Sequence, residues 1–252
     1  MLDVFMARRM QGHRTMKYPD GPLPELSARF AGLPVVGQGI CPPDCGRCAD
    51  ACPTNAVTCV PRLSVDLGKC LFCRECVSAC QEGILTFSRD HRMAASRRED
   101  LIVGAEGFKA AGSLEEARRK LFGKSLKLRQ VSAGGCNACE ADTNVLGTLA
   151  WDLGRFGIQF VASPRHADGI LVTGPVPENM REALLKTWAA VPEPRVAIVV
   201  GSCAISGGPY AGLPEVHNGA TGFIPVDLLV PGCPPHPLTI LDGLLRLIGR
   251  IS

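Results

Sequence analysis

Thirteen cysteines stand in a chain of 252 residues, and twelve of them fall into three sets of four. Residues 41 to 53 read Cys-Pro-Pro-Asp-Cys-Gly-Arg-Cys-Ala-Asp-Ala-Cys-Pro, and residues 70 to 80 read Cys-Leu-Phe-Cys-Arg-Glu-Cys-Val-Ser-Ala-Cys. The second run is C-x2-C-x2-C-x3-C. The first is C-x3-C-x2-C-x3-C-P, one residue longer between its first two cysteines. Three cysteines this close can wrap a loop around one corner of a cubane, with backbone N–H groups turned toward the sulfurs. The fourth, three residues on, starts a short helix that points away and so reaches a neighbouring cluster. The spacing therefore assigns Cys41, Cys45, Cys48 and Cys80 to one [4Fe–4S] cluster, and Cys70, Cys73, Cys76 and Cys52 to another. Pro53 ends the short helix after Cys52. A zinc site, with four ligands usually in two distant C-x2-C pairs, fits these two runs poorly. The extra residue before Cys45 demands a longer loop to deliver Cys41; if that loop fell short, one iron would lose its thiolate. Cys59, the odd cysteine, sits in a predicted strand among apolar neighbours and reads as a small core residue.

The third set is scattered: Cys136, Cys139, Cys203 and Cys233, in the contexts Gly-Gly-Cys-Asn-Ala-Cys-Glu, Val-Gly-Ser-Cys-Ala and Pro-Gly-Cys-Pro-Pro-His-Pro. Each context follows a predicted strand: 128 to 132, 195 to 200 and 224 to 230. Two further strands, 158 to 162 and 169 to 173, and helical patterns at 144 to 156, 178 to 190 and 238 to 248 complete an alternation. Such alternation implies a parallel sheet with helices on both faces. Loops at the strand C-termini gather at one edge of such a sheet, so three cysteine-bearing loops there can hold one cluster. Gly134, Gly135, Gly201 and Gly232 let the backbone approach it closely. A nucleotide-binding reading lacks its marks, since there is no G-x-G-x-x-G after the first strand and no Walker A lysine. In the cysteine-rich part, 56 to 60 and 63 to 66 read as a short hairpin turning near Pro61-Arg62.

Residues 37 to 89 resemble the bacterial two-cluster ferredoxin domain. Residues 127 to 245 resemble the small-subunit cluster domain shared by [NiFe]-hydrogenases and the 20-kDa subunit of respiratory complex I. The matching motifs are Gly135-Cys136-Asn137-Ala138-Cys139-Glu140, Thr173-Gly174-Pro175, Gly201-Ser202-Cys203-Ala204 and Gly232-Cys233-Pro234-Pro235. In that family the four cysteines bind the [4Fe–4S] cluster nearest the catalytic large subunit. Complex I subunits carry two adjacent cysteines in the first loop, whereas C-x2-C here resembles the hydrogenase branch of the formate hydrogenlyase type. The resemblance implies an α+β two-cluster ferredoxin-like domain followed by a flavodoxin-like parallel α/β domain with a third cluster. The expected layout is an extension (1 to 36), a ferredoxin domain (37 to 89), a linker (90 to 126) and the α/β domain (127 to 252). It implies an electron-transfer subunit with three [4Fe–4S] clusters, beside a [NiFe]-hydrogenase-like or complex I 49-kDa-like large subunit and other subunits of a membrane-bound complex. A complex I-like quinone-reducing subunit and a purely structural iron–sulfur module are the alternatives. No residue set resembles the nickel site of the family, so catalysis is expected in the partner. Glu140 is read as a helix-opening, solvated glutamate or as a proton relay at the partner interface. His236 either hydrogen-bonds a cluster sulfur or caps the next helix.

Composition agrees with a redox chain. Net charge is +3, divided as +4 through Ser125 and −1 beyond it, and no aromatic pattern accompanies the basic residues, so nucleic acid is not an expected partner. No apolar run reaches the roughly 18 residues of a spanning helix. Arg8-Arg9 is followed by polar residues (Gln11, His13, Arg14, Lys17, Asp20), not by the apolar region of an export signal. The chain is therefore expected in the cytoplasm, peripheral on the inner face of the membrane. The linker reads as solvated with one or two helices, one capped by Ser113 with Glu116 at the third position, or else as a docking surface for a sister subunit. Residues 1 to 10 could form a short amphipathic helix, too short to anchor alone.

Overall fold

The computed structural model describes residues 2–12, 14–39, 41–42 and 44–251. In the cysteine-rich part the elements are short, as its glycines and prolines require. They run α1 (Leu2–Gln11), β1 (Pro34–Val36), α2 (Arg47–Asp50), β2 (Val57–Thr58), β3 (Ser64–Asp66), α3 (Glu75–Ala79), β4 (Leu85–Phe87), β5 (Ile102–Val103) and α4 (Glu116–Phe122). The expected hairpin is present, with Val57 opposite Val65 and Thr58 opposite Ser64, and β5 extends it as a third antiparallel strand. β1 and β4 form a separate antiparallel pair. Within the described residues α1 covers most of the helix read at 1 to 10; Met1 lies outside them.

The remainder is a parallel sheet with its helices: β6 (Leu126–Ser132), α5 (Ala138–Asn144), β7 (Ile158–Phe160), β8 (Gly169–Thr173), α6 (Glu178–Ala190), β9 (Val196–Val200), α7 (Ser202–Ser206), β10 (Leu228–Val230) and α8 (Pro237–Leu247). The strand order is β10-β9-β8-β6-β7, parallel throughout. In chain order that is the 2-1-3-4-5 arrangement of flavodoxin-like folds, whose switch point lies between the first and third strands. Alternate residues face opposite sides, as the two-residue strand period demands. Leu126, Leu128, Leu171, Val196, Ile198, Leu228 and Val230 pack with α8 on one face. Val131, Ile170, Val172, Ala197, Val199 and Leu229 form the other.

Three expectations are corrected. The helix read at 144 to 156 lies earlier, as α5, and 145 to 156 hold two 3₁₀ turns, Val145–Gly147 and Leu153–Phe156. Gly147 and Gly154 weaken the helix there, and Asp152 takes the left-handed conformation at φ 47°. The strand read at 224 to 230 is shortened to Leu228–Val230, because Pro225 has no N–H for a ladder. Ser113 does not cap α4, which follows Glu115 without a side-chain cap bond.

The segment from 90 to 126 is not a solvated linker. Met93, Ala94, Ala95, Leu101, Val103, Ala111, Leu114 and Phe122 are all buried. Ala95 exchanges two backbone hydrogen bonds with Leu229, 2.9 and 2.8 Å, which docks the segment on β10. Arg118 forks onto Asp227 at 2.6 and 3.1 Å. Asp227 Oδ2 also accepts from the Ala197 N–H at 2.9 Å, so one carboxylate ties α4 to the sheet.

Candidate metal centres

The thiols gather in three groups. In the first, burial pushes the Cys41 thiol up, and Cys45, Cys80 and Cys59 push it further. Burial and the neighbouring thiols of Cys59 and Cys80 raise Cys48 to about 12. In the second group, burial raises Cys70 to about 12, opposed by the Phe72 N–H and assisted by Cys76, Cys52 and Cys73. Cys76 is raised by burial, then by Cys52 and Cys73. Cys80 is thus a neighbour of Cys41 and Cys48, and Cys52 a neighbour of Cys70 and Cys76. In the third group burial raises Cys139, with Cys203, Glu140, Cys233 and Cys136 adding to it. Cys203 is raised to about 11 by burial, then by Cys233 and Cys136. Cys41, Cys48, Cys70, Cys76, Cys139 and Cys203, raised in this way, hold their protons at neutral pH, so metal binding would displace protons from each group.

The local backbone fits such an occupant. The Ala56 N–H donates to Cys52 Sγ at 3.1 Å and the Phe72 N–H to Cys70 Sγ at 3.3 Å, the sulfur-directed amides expected of cluster loops. Phe72 and Arg74 both hold positive φ, 57° and 68°, which turns the loop of the second run back on itself. In the third group a Cβ on Gly201 would lie 2.5 Å from Cys139 Sγ, and one on Gly208 would lie 2.9 Å from Cys203 Sγ. Only glycine leaves these thiols their position. Among the described residues no three Cys, His, Asp or Glu side chains converge on a single-ion position, whereas thiols around a cubane stand on its four corners, farther apart than zinc ligands.

The third group sits where the sheet predicts. Its cysteines follow β6, β9 and β10 at the C-terminal edge. Glu140, next to Cys139 in α5, is buried rather than solvated. It accepts from Ser132 Oγ and Thr173 Oγ1, both at 2.6 Å, from the ends of β6 and β8. Burial alone would raise its pKa, but the two hydroxyls outweigh this and hold the carboxyl below its usual range. Its Oε2 has no hydrogen-bond partner, and the residue lines a cavity of about 560 Å³ shared with Arg129, Asn137 and Met180. His236 takes the capping role: its Nδ1 accepts from the Leu238 N–H at 3.1 Å. Burial, then His91, lowers its pKa.

The second and third groups adjoin. Cys73 is among the charges that raise the Cys233 thiol, after burial and Cys136. Ser202 donates from Oγ to the Cys70 carbonyl at 2.6 Å, and Ser206 to the Gly68 carbonyl at 2.8 Å. Both serines lie in α7 with Cys203, so one helical turn binds the second cysteine loop to the third. Sequence reasoning misses these serines, because neither spacing nor periodicity marks contacts across 132 or 138 residues, and it misses the place of Cys59 beside Cys48, because a strand pattern does not say which thiols its end adjoins.

Comparison with known proteins bears on this half. A family model described as NADH ubiquinone oxidoreductase, 20 Kd subunit, matches residues 136–247, which hold all four cysteines of the third group. The chain is 38% identical over 140 residues to formate hydrogenlyase subunit 7 of Escherichia coli, covering 56% of this chain and 55% of that protein. It is 36% identical over 133 residues to a probable membrane-bound hydrogenase subunit of Pyrococcus furiosus, covering 53% of this chain and 80% of that one. It is 42% identical over 118 residues to an NADH-quinone oxidoreductase subunit of Clostridium beijerinckii, covering 46% and 70% respectively. The chain thus spans little more than half the length of the first of these relatives. The first nine cysteines, Cys41 through Cys80, lie outside the residues of the family match.

Proposed function

Because the chain belongs to the NADH ubiquinone oxidoreductase 20 Kd subunit family, we propose that it is an electron-transfer subunit of a hydrogenase-like or complex I-like assembly. In this reading Cys41, Cys45, Cys48 and Cys80, then Cys70, Cys73, Cys76 and Cys52, then Cys136, Cys139, Cys203 and Cys233 hold three [4Fe–4S] clusters. Residues 37 to 89 act as a two-cluster ferredoxin unit, preceded by an extension and joined through 90 to 126 to the α/β unit at 127 to 252. A bound [4Fe–4S] cluster supplies one-electron chemistry at potentials from roughly −700 to +450 mV.

The observation that supports the reading best is the sequence of contacts between the three thiol groups. Cys80 neighbours the first run and Cys52 the second, and the second group is tied to the third by the Ser202 bond to the Cys70 carbonyl, with Cys73 near enough to act on Cys233. The chain's own work is to fix the spacing of its carriers: two serine hydroxyls and a shared core hold the loops in register. Glu140 is buried and held below the usual carboxylate range by the Ser132 and Thr173 hydroxyls, which suits a charged anchor that ties α5 to the ends of β6 and β8 better than a proton relay, whose pKa would have to lie near the working pH.

The C-x2-C first loop favours a [NiFe]-hydrogenase-like large subunit as partner, of the formate hydrogenlyase type. A complex I 49-kDa-like large subunit is the second reading, and the relative from Clostridium is what speaks for it. No described helix is long and apolar enough to cross a membrane. The reading therefore has the chain peripheral, on the inner face, within a membrane-bound complex.

Anaerobic purification of the chain with its natural partners tests this. We expect about twelve iron and twelve sulfide per chain, reversible reduction by a low-potential donor, and a copurifying large subunit. The cysteine content of that subunit separates the two partner readings. Clusters that cannot be cycled would sink electron transfer. Cys139→Ala is expected to abolish activity of the assembly while about eight iron remain; loss of all three cluster signals would contradict independent sites.

A further inference from the structure

The first thiol group holds five cysteines where a [4Fe–4S] cluster takes four. Cys59 Sγ stands 3.5 Å from Cys48 Sγ. Cys59 also lines, with Cys41 and Cys45, one cavity of about 720 Å³ walled by Gly37, Gly39 and Leu63. Its thiol is among the charges that act on both Cys41 and Cys48. The second and third groups show no such surplus: the thiols that act on one another there are their own four and, at their junction, Cys73. The thirteenth cysteine is therefore beside the one group whose run departs from regular spacing.

The two thiols reach the site in different ways. Cys59 directly follows β2, whose two residues are paired with β3, so its position is set by a hairpin. Cys41 hangs on the lengthened C-x3-C loop, which needs Asp44 at φ 58° to return to Cys45. A strand end offers a ligand with little ordering cost, and a longer loop offers one with more freedom to lose.

We propose that Cys41 and Cys59 compete for the same iron of the first cluster, so that five thiols serve four irons. The proposal rests on the reading that this group holds a [4Fe–4S] cluster. Exchange is balanced without any redox partner: the incoming thiol releases its proton as its sulfur binds iron, and the displaced thiolate takes one up. Either cysteine alone then suffices to keep the cluster four-iron.

Cys41→Ala, Cys59→Ala and the double variant, made in the full chain and purified anaerobically with its partners, test this by iron count and EPR. Each single variant is expected to keep about twelve iron and to show no [3Fe–4S] signal. The double variant is expected to lose about one iron per chain and to gain one oxidised [3Fe–4S] signal. A [3Fe–4S] signal in either single variant, or none in the double, overturns the competition. Wild-type protein lacking the first cluster altogether, with about eight iron, overturns this and the underlying reading together. Anaerobic alkylation of the wild-type assembly with iodoacetamide, followed by peptide mapping, needs no substitution and decides the matter if the double variant does not assemble. Adducts divided between Cys41 and Cys59 are expected; adducts on one of them alone, or on a cysteine of the other groups, overturn the proposal.

Discussion

His91 is buried with a polar network around it, and its neutral form is the one the fold accepts. Tyr18 donates to Asp242 Oδ1 at 2.6 Å, Arg246 pairs with Asp242 Oδ2 at 2.8 Å, and the His91 ring meets the Tyr18 ring edge-on at 5.6 Å. Burial lowers the His91 pKa from 6.5; Asp242 and Asp90 pull it up less strongly, and Arg92 and Arg246 reinforce the fall. The folded value lies below the unfolded one, so between the two the unfolded chain holds the extra proton. Stability is therefore full above about pH 6.5 and declines as pH falls toward the folded value, by at most about 1.4 kcal/mol per pH unit for one group. His91→Gln should flatten that slope, with His236 still contributing in both proteins. Anaerobic melting at about pH 7.5 and about pH 5.5 checks this, since equal slopes in the two proteins would refute it. At this scale the grouping of the cysteines in the two runs is legible in sequence, because their spacing is local, whereas the third set is reached only through the strands that its loops follow. The pairing of Tyr18 with Asp242 is not legible, the two being 224 residues apart. Cys59 escapes sequence reasoning because apolar neighbours describe a strand without saying which thiols its end adjoins.

The strands and helices are legible where periodicity and length agree. β8 and α6 have their expected bounds, since a five-residue apolar run and a thirteen-residue amphipathic one admit little else. The stretch from 145 to 156 departs from expectation because glycines and a left-handed Asp152 outweigh its helical spacing. α8 shows what helical spacing cannot reveal, namely how closely a helix is overlaid. All of its residues are buried, and a Cβ on Gly243 would come within 2.8 Å of Ala94 Cβ and 3.4 Å of Leu228 Cδ2. Ala94 has no rotamer by which to withdraw. Alanine would gain up to about 1 kcal/mol of helix propensity against about 1–3 kcal/mol of overpacking. Gly243→Ala should therefore lower the melting temperature, by about 2–6 °C if the net cost is 1–2 kcal/mol. Gly112→Ala, where a Cβ meets nothing within 4 Å, is the control and should leave it unchanged. An unaltered Gly243→Ala melt would show that α8 can slide off the segment carrying Ala94.

For the molecule as a whole, the cysteine-rich part is the cover of one sheet face. Leu67, Met93 and Leu101 share a continuous core with Val131, Ile170 and Val172. Ala95 pairs with Leu229, and the serines of α7 hold the Cys70 and Gly68 carbonyls. The sequence divides this chain by motif into a ferredoxin-like region and an α/β region, and that division says nothing about whether each closes its own core. A parallel sheet needs both faces covered. Here α8 covers one, while α6, with Leu184 in the shared core, covers only part of the other. Residues 127 to 252 expressed alone should therefore expose the patch around Val131, Ile170 and Val172, bind a hydrophobic dye and aggregate. Coexpression of residues 1 to 126 as a separate chain should restore a soluble, cooperatively melting complex, because the contacts across the seam need no covalent link. A soluble, dye-silent fragment with one sharp melting transition would refute the shared core. If the prediction holds, the fixed spacing of the second and third thiol groups follows from the folding of the sheet itself, since the interface that aligns the two loops is the same one that completes the core.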